Sequence, residues 1–154
     1  MTAADVVAQL VARHETVATC ESLTGGLLVG ELTTVPGSSA VVRGGLVTYA
    51  TDLKTSLAGV PSDLIVENGV VSLPVAEAMA RGARAACGAT WGIGLTGVAG
   101  PDRVDGLPPG TVCIAVAGPE RVRSVREQLS GDRAEVRRRS VERALALLSE
   151  AWAS

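Results

Sequence analysis

The segment V-A-T-C-E-S-L-T-G-G, residues 17–26, joins a short apolar run to a pair of glycines. Residues 17–20 have the small and β-branched side chains of a buried strand, and the segment from Thr24 to about Val35 fits a helix despite its glycines. Ser22 lies at the turn between the two. A serine in this position can attack a substrate or can cap the helix, so the rest of the sequence must be consulted.

The alternation of strand and helix continues along the chain. The predicted strands are residues 17–20, 44–50, 90–96, 111–117 and 122–129, and the predicted helices are residues 3–14, 24–35, 53–57, 63–68, 74–87 and a last helix that follows Asp132 and reaches Trp152. Such alternation indicates an α/β sheet covered by helices on both faces. Without a linker or repeat, the 154 residues are predicted to form one domain, residues 1–154.

The composition excludes several classes of function. A net charge of −2 gives no field that attracts a polyanion, so nucleic acid is not an expected partner. The three cysteines have no metal-ligand spacing and favour free thiols in a reducing compartment. The longest uncharged run, residues 85–101, contains five glycines and is a poor membrane span. We expect a cytoplasmic protein with no metal, no cofactor and no membrane contact.

Two side chains that occur once each share one predicted strand-to-helix turn. Lys54 is the only lysine among fourteen basic residues, and Tyr49, five residues earlier, is the only tyrosine. A buried lysine can lose its proton and act as a base, whereas an arginine cannot. Codon bias and chance would produce the same pattern, so a catalytic role for this pair is a hypothesis.

If Ser22 is a nucleophile, its base is Lys54 or His14. Lys54 is the better candidate because its apolar flanks can bury it and lower its pKa. His14, the only histidine, is predicted at a helix end without a partner that would orient it.

The same turn offers donors for the negative charge that acyl transfer develops. Backbone N–H groups at the predicted helix start, those of Thr24, Gly25 and Gly26, can receive an oxyanion beside Ser22. The alternative is that Glu21, Ser22 or Thr24 only caps the helix.

A glycine-rich segment matches the dinucleotide pattern G-x-G-x-x-G at residues 92–97 but lacks its structural context. Prolines follow where the helix of that motif should run, so we interpret the segment as a strand that enters a glycine loop. The loop at residues 97–101 can bind an anion through backbone N–H groups, or it can be a plain turn. Arg133 follows a helix cap at residues 130–132 and can reach a phosphate.

Six motifs taken in order resemble a known family. They are E-S-L-T-G-G (21–26), P-G-S-S (36–39), G-L-V-T-Y-A-T-D-L-K (45–54), G-V-V-S (69–72), T-G-V-A-G-P-D (96–102) and S-G-D-R (130–133). Together they are similar to the CinA carboxy-terminal domain family, which includes bacterial nicotinamide-nucleotide amidases. The resemblance implies a three-layer α/β/α sandwich in which helices cover both faces of a mixed sheet.

The resemblance also implies an activity and a site. The activity is hydrolysis of the carboxamide of nicotinamide mononucleotide to nicotinate mononucleotide and ammonia, in a homodimer that needs no metal. Carried over by motif, Ser22 is the nucleophile and Tyr49 with Lys54 its activating pair. The residues expected to bind the nucleotide are Thr24, Gly25, Gly26, Gly97, Ala99, Gly100 and Arg133.

The chain departs from the family pattern in two places. Leu23 stands where the family usually has cysteine, and residues 103–110 stand where the family often has further glycines, so the ligand loop is expected to differ. An amino-terminal domain of larger members, associated with hydrolysis of adenosine diphosphate ribose, is expected to be missing. Two alternatives stay open: a non-catalytic nucleotide-binding or interaction module, and an amidase or esterase for a small acyl substrate without phosphate.

Overall fold

The computed structural model describes all 154 residues and contains five strands and six α-helices. The strands are β1 (Val17–Glu21), β2 (Val42–Val47), β3 (Trp91–Gly97), β4 (Thr111–Ala117) and β5 (Val122–Gln128). The helices are α1 (Ala3–Arg13), α2 (Leu27–Thr33), α3 (Thr51–Ala58), α4 (Ser62–Asn68), α5 (Leu73–Cys87) and α6 (Arg133–Trp152). None of the helices is long and apolar enough to cross a membrane.

The five strands form one mixed sheet in the order β2-β1-β3-β4-β5. The first three strands of the chain are parallel, whereas β4 runs antiparallel to both of its neighbours. Glu21, the last residue of β1, lies opposite Val47 on β2 and Leu95 on β3. The three parallel strands therefore end close together at one edge of the sheet.

Helices cover both faces of this sheet. One face carries α1, α2 and α6, whose Leu10, Leu28 and Leu148 share a buried core with Ile93 and Ile114 of the sheet. The other face carries α3, α4 and α5, which pack over the small residues of the strands. The predicted three-layer α/β/α sandwich with a mixed sheet is confirmed.

Two glycines of β3 let α5 lie directly on the sheet. A Cβ added at Gly92 would stand 2.0 Å from the carbonyl oxygen of Ala80, and one at Gly94 would stand 2.3 Å from that of Ala76. Both distances are far below van der Waals contact. The first two glycines of the G-x-G-x-x-G match thus serve helix packing, and the prediction that this segment is a strand entering a loop is confirmed.

Two predicted boundaries near the turn at Ser22 are wrong. Helix α2 begins at Leu27, not at Thr24, because Gly25 and Gly26 adopt positive φ angles of 55° and 101° that an α-helix cannot contain. Strand β2 ends at Val47, not at residue 50, because its neighbour β1 ends opposite that residue.

The contact between β3 and α5 generates a stability prediction. Gly92→Ala should lower the free energy of unfolding by at least ~2 kcal/mol, because the added methyl group forces a packed backbone apart. Gly30→Ala is the control, since Gly30 is exposed in α2 with nothing within 4 Å of the added Cβ. Alanine there should raise stability by about 0.5–1 kcal/mol. Urea denaturation of both variants measures these changes, and equal stability of the two would contradict the close packing.

Candidate active site

A cleft of about 350 Å³ opens at the edge where the three parallel strands end. Because β1 leads to β2 on one side and the chain later returns to β3 on the other, the strand order reverses here, and open α/β sheets bind ligands at such points. The cleft is lined by Ser22, Leu23, Tyr49, Thr51, Lys54, Val70, Val71, Thr96, Gly97, Val98, Ala99, Gly100, Pro101, Asp102, Val104 and Arg133.

Ser22 and Lys54 meet inside this cleft. The Nζ atom of Lys54 lies 2.9 Å from Oγ of Ser22, 2.6 Å from the carbonyl oxygen of Thr48 and 3.4 Å from that of Tyr49. Lys54 is only 1% exposed, and no carboxylate pairs with it. Burial lowers the pKa of its amine. A serine hydroxyl in contact with an amine of lowered pKa is the arrangement of a nucleophile and its base.

The thiol of Cys20 lies next to this amine but gives it no negative charge. Burial raises the pKa of Cys20 to about 11, although hydrogen bonding to Thr48 and the charge of Lys54 oppose the shift. The thiol is therefore protonated at neutral pH. At neutral pH Cys20 therefore does not offset the effect of burial, which lowers the pKa of Lys54.

The helix cap of α2 is Glu21, not Ser22. The fully buried carboxylate of Glu21 accepts hydrogen bonds from the backbone N–H groups of Leu28 at 2.8 Å and Val29 at 3.0 Å. These are unpaired donors of the first helical turn. Of the three capping candidates in the sequence, Glu21 is the one that caps the helix. The hydroxyl of Ser22 contacts Lys54 instead.

The structure does not bring Thr24, Gly25 and Gly26 into the cleft, where they were expected to bind substrate. Thr24 is fully buried, and its hydroxyl donates to Glu21 at 2.7 Å. The N–H of Gly25 donates to the carbonyl oxygen of Ser22 at 3.0 Å, so it is not free for an oxyanion. The chain turns from the cleft into α2 after Leu23, which lines the cleft instead.

Tyr49 lies at the mouth of the cleft and is 60% exposed. Its hydroxyl accepts a hydrogen bond from Arg133 at 3.1 Å. It makes no hydrogen bond with Ser22, and only its backbone carbonyl contacts the amine of Lys54. The three predicted catalytic residues thus share one cleft, but only Ser22 and Lys54 are joined through their side chains.

The loop after β3 forms the wall that faces Arg133. Gly97, Ala99 and Gly100 line the cleft as predicted, and Nη1 of Arg133 donates to the carbonyl oxygen of Gly100 at 2.7 Å. The N–H groups of Ala99, Gly100 and Asp102 have no acceptor within the protein. Adjacent free N–H groups beside a guanidinium can bind an anion. The predicted cap before Arg133 is confirmed, since Asp132 accepts from the N–H of Glu135 at 2.9 Å.

The segment that departs from the family pattern forms a small hairpin over the cleft. Val104 and Leu107 pair as an antiparallel bridge, and the tip between them turns through positive φ at Asp105 and Gly106. Nη1 of Arg103 donates to the carbonyl oxygen of Gly106 at 3.1 Å. The hairpin therefore carries its own hydrogen bonds while Val104 reaches the cleft.

His14 is excluded as the base of Ser22 by its position. His14 is exposed and caps the carboxyl end of α1, before β1 begins, whereas Ser22 follows β1 at the opposite end of that strand.

Glu21 and Leu23, which shape the turn, had no assigned role in the site. A signal for Glu21 did exist, because an acid at the end of an otherwise uncharged buried strand needs several donors. No group of three or more His, Cys, Asp or Glu side chains is placed to hold a metal ion.

A comparison with protein families matches residues 1–152 to the CinA C-terminal domain. The chain belongs to this family. It is 51% identical to a CinA-like protein from Anaeromyxobacter dehalogenans over 93% of this chain and 35% of that protein. It is 50% identical to a CinA-like protein from Mycobacterium sp. (strain JLS) over 96% of this chain and 35% of that protein. The chain thus spans about a third of the length of these curated relatives.

Solved structures of the CinA superfamily share the fold over nearly their whole length. A superfamily protein from Klebsiella pneumoniae is 30% identical, with a TM-score of 0.95 over 98% of this chain and 95% of that one. A competence/damage inducible protein from Agrobacterium tumefaciens is 34% identical, with a TM-score of 0.92 over 96% of this chain and 92% of that one. These relatives support the family and fold, while the reaction must be argued from the site.

The buried amine of this CinA domain generates a prediction about pH and stability. Because the pKa of Lys54 is lowered from its ordinary 10.5, the unfolded chain holds this proton over a pH range in which the folded chain does not. The stability contributed by this group therefore rises with pH between the lowered pKa and 10.5. Lys54→Met should be more stable than the wild type at neutral pH, and its advantage should shrink by up to about 1.4 kcal/mol per pH unit within that window.

Urea denaturation of both proteins at several pH values between about 7 and 10 measures this difference. All other titrating groups are common to the two proteins, so their contributions cancel. A stability difference that does not change with pH would contradict a lowered pKa of Lys54.

Proposed function

We propose that this CinA domain hydrolyses the carboxamide of nicotinamide mononucleotide to nicotinate mononucleotide and ammonia, with Ser22 as nucleophile and Lys54 as its base. The observation that carries the proposal is the 2.9 Å contact between Ser22 Oγ and a buried lysine amine inside a cleft. A module that only binds nucleotides has no use for a desolvated lysine beside a serine, whereas amide hydrolysis requires a base there. The homodimer implied by the family resemblance stays a prediction.

The contacts of Lys54 fit a neutral amine. Such an amine has two N–H donors and one lone pair, and Lys54 has three partners. When the amine is neutral, the carbonyl oxygens of Thr48 and Tyr49 can take its two N–H groups, which leaves the lone pair to accept from the O–H of Ser22. The backbone after β2 therefore orients the base toward the nucleophile.

The reaction then proceeds in two halves. Oγ of Ser22 attacks the amide carbon while its proton passes to Nζ of Lys54, and the resulting ammonium returns the proton to the departing nitrogen as ammonia leaves. A water molecule next attacks the acyl-serine ester, giving its proton to Lys54. As the ester bond breaks, Lys54 returns that proton to the oxygen of Ser22, and the carboxylic acid leaves and loses its own proton to solvent.

A donor for the oxyanion follows directly after the nucleophile. The N–H of Leu23 has no acceptor within the protein, and Leu23 lines the cleft. In hydrolases with the nucleophile on a strand-to-helix turn, the N–H of the next residue serves this purpose. Leu23 thereby takes the role that the sequence had suggested for the N–H groups of Thr24, Gly25 and Gly26.

The rest of the cleft suits a mononucleotide. The apolar side chains of Val70, Val71 and Val98 can face the pyridine ring. The free N–H groups of Ala99, Gly100 and Asp102 and the guanidinium of Arg133 supply donors for a phosphate. The hydroxyl of Tyr49 accepts a hydrogen bond from Arg133. In the proposed complex, Tyr49 would therefore orient Arg133 toward the phosphate of the substrate.

The first test is ammonia release from nicotinamide mononucleotide. Turnover should be much faster than with free nicotinamide, which lacks the phosphate, and Ser22→Ala should reduce kcat by at least ~10³-fold. Ser38→Ala is the matched control, because Ser38 is as buried as Ser22, at 8% exposure, but lies outside the cleft. Equal turnover of both substrates would contradict a phosphate site in the cleft. A Ser22→Ala variant with near-normal turnover would show that Ser22 is not the nucleophile.

The second test asks whether Lys54 acts as a base or only as a charge. Lys54→Arg should abolish turnover because a guanidinium does not release its proton at working pH. In the wild type, kcat/KM should fall on the acid side of the lowered pKa of Lys54 and stay level above it. Steady-state rates across pH on folded protein measure both effects. An arginine variant with wild-type kcat would show that position 54 supplies positive charge alone.

A further inference from the structure

We propose that Glu21 and Thr24 are positioning residues of the reaction, because their hydrogen bond holds the turn that presents Ser22 to Lys54. Neither side chain lines the cleft, so neither touches the substrate. This inference rests on the proposed function, because it concerns the same nucleophile.

The buried carboxylate of Glu21 accepts one hydrogen bond from the strand, one from the turn and two from the helix. Oε1 accepts from the hydroxyl of Thr24 at 2.7 Å and from the N–H of Leu28 at 2.8 Å. Oε2 accepts from the hydroxyl of Thr19 at 3.0 Å and from the N–H of Val29 at 3.0 Å. Each oxygen thus binds one threonine and one helical N–H. One threonine belongs to the turn and the other to strand β1.

The turn at residues 22–26 has few other anchors. Its start is fixed where the N–H of Ser22 donates to the carbonyl oxygen of Leu95 at 3.0 Å. On the α6 side, Nε of Arg137 donates to the carbonyl oxygen of Leu23 at 2.9 Å. Nη2 of Arg137 also donates to the carbonyl oxygen of Thr24 at 3.4 Å. Apart from Ser22, which contacts Lys54, Thr24 is the only residue of the turn whose side chain makes a hydrogen bond within the protein, and the two glycines after it add conformational freedom.

A looser turn would affect the rate more than the binding of substrate. The hydroxyl of Ser22 and the N–H of Leu23 must both meet the reacting carbonyl, and a displacement of about 1 Å can cost ~10²-fold in rate. The nucleotide would still be held by the loop after β3 and by Arg133. The expected signature is therefore a lower kcat at a nearly unchanged KM.

The two threonines on one carboxylate provide a matched pair of variants. Thr24→Val and Thr19→Val each replace a fully buried hydroxyl by a methyl group and remove one bond to Glu21. Thr24→Val should lower kcat about 10- to 100-fold with KM changed less than about twofold, whereas Thr19→Val should keep kcat within about threefold. Both should lower the unfolding midpoint by similar amounts, and Thr24→Ser should restore kcat because it keeps the hydroxyl.

Equal losses of kcat in the two valine variants would overturn the proposal and leave Glu21 as a helix cap alone. The pair Thr24→Ala and Thr19→Ala gives the same comparison if either valine variant does not fold. A fluorophosphonate probe, followed by intact mass, separates this inference from the proposed function. If the wild type does not hydrolyse the nucleotide but Ser22 is labelled, slower labelling of Thr24→Val than of Thr19→Val supports positioning, and equal rates or no labelling overturn it.

Discussion

The parallel pairing of β1 with both β2 and β3 is the constraint on which the candidate site depends. β1 and β2 end opposite each other and β3 ends two residues further on, at Gly97, so the segments that follow the three strands meet although they are far apart in the chain. Ser22 follows β1, Lys54 lies in the first turn of α3 after β2, and the glycine loop follows β3. A strand displaced by two residues would move its segment by about 7 Å and separate the serine from the amine.

Two buried ionisable side chains with opposite surroundings lie on either side of Ser22. Glu21 is surrounded by donors, two hydroxyls and two backbone N–H groups, which is an environment built for a carboxylate. Lys54 contacts two carbonyl oxygens and a hydroxyl, and burial lowers its pKa. Glu21 stabilises the turn, whereas Lys54 is the base in the proposed reaction, and the hydrogen-bond partners of each side chain distinguish these two roles.

The sequence predicted the fold and the pair at the centre of the site because those features depend on local patterns. Alternating apolar segments indicated the strands and helices, and a single lysine in an arginine-rich chain pointed to Lys54. The contact between Lys54 and Ser22 depends on the pairing of β1 with β2, which no local pattern encodes. Thr24 was placed in the site because the helix was expected to start there, and the φ angles of the two glycines moved it into the core.

The direction of the Tyr49 side chain likewise could not be predicted from the sequence. Its neighbour in the structure is Arg133, which is 84 residues away in the chain and approaches from the start of α6. Only the packing of α6 on the sheet brings the two together. Spacing alone had grouped Tyr49 with Lys54, whose amine in fact points to the other side of the turn, toward Ser22.

The hairpin over the cleft can change in sequence more freely than the turn that holds Ser22. It is closed by the Val104–Leu107 bridge and the bond from Arg103 to Gly106, and its tip makes no hydrogen bond to the turn that holds Ser22. Replacement of Val104, the hairpin residue that lines the cleft, alters one wall of the cleft while the serine, the lysine and their supports keep their places. Homologous domains can therefore diverge in what they accept without rebuilding how they react, and a change of specificity needs only a short stretch of chain at the surface.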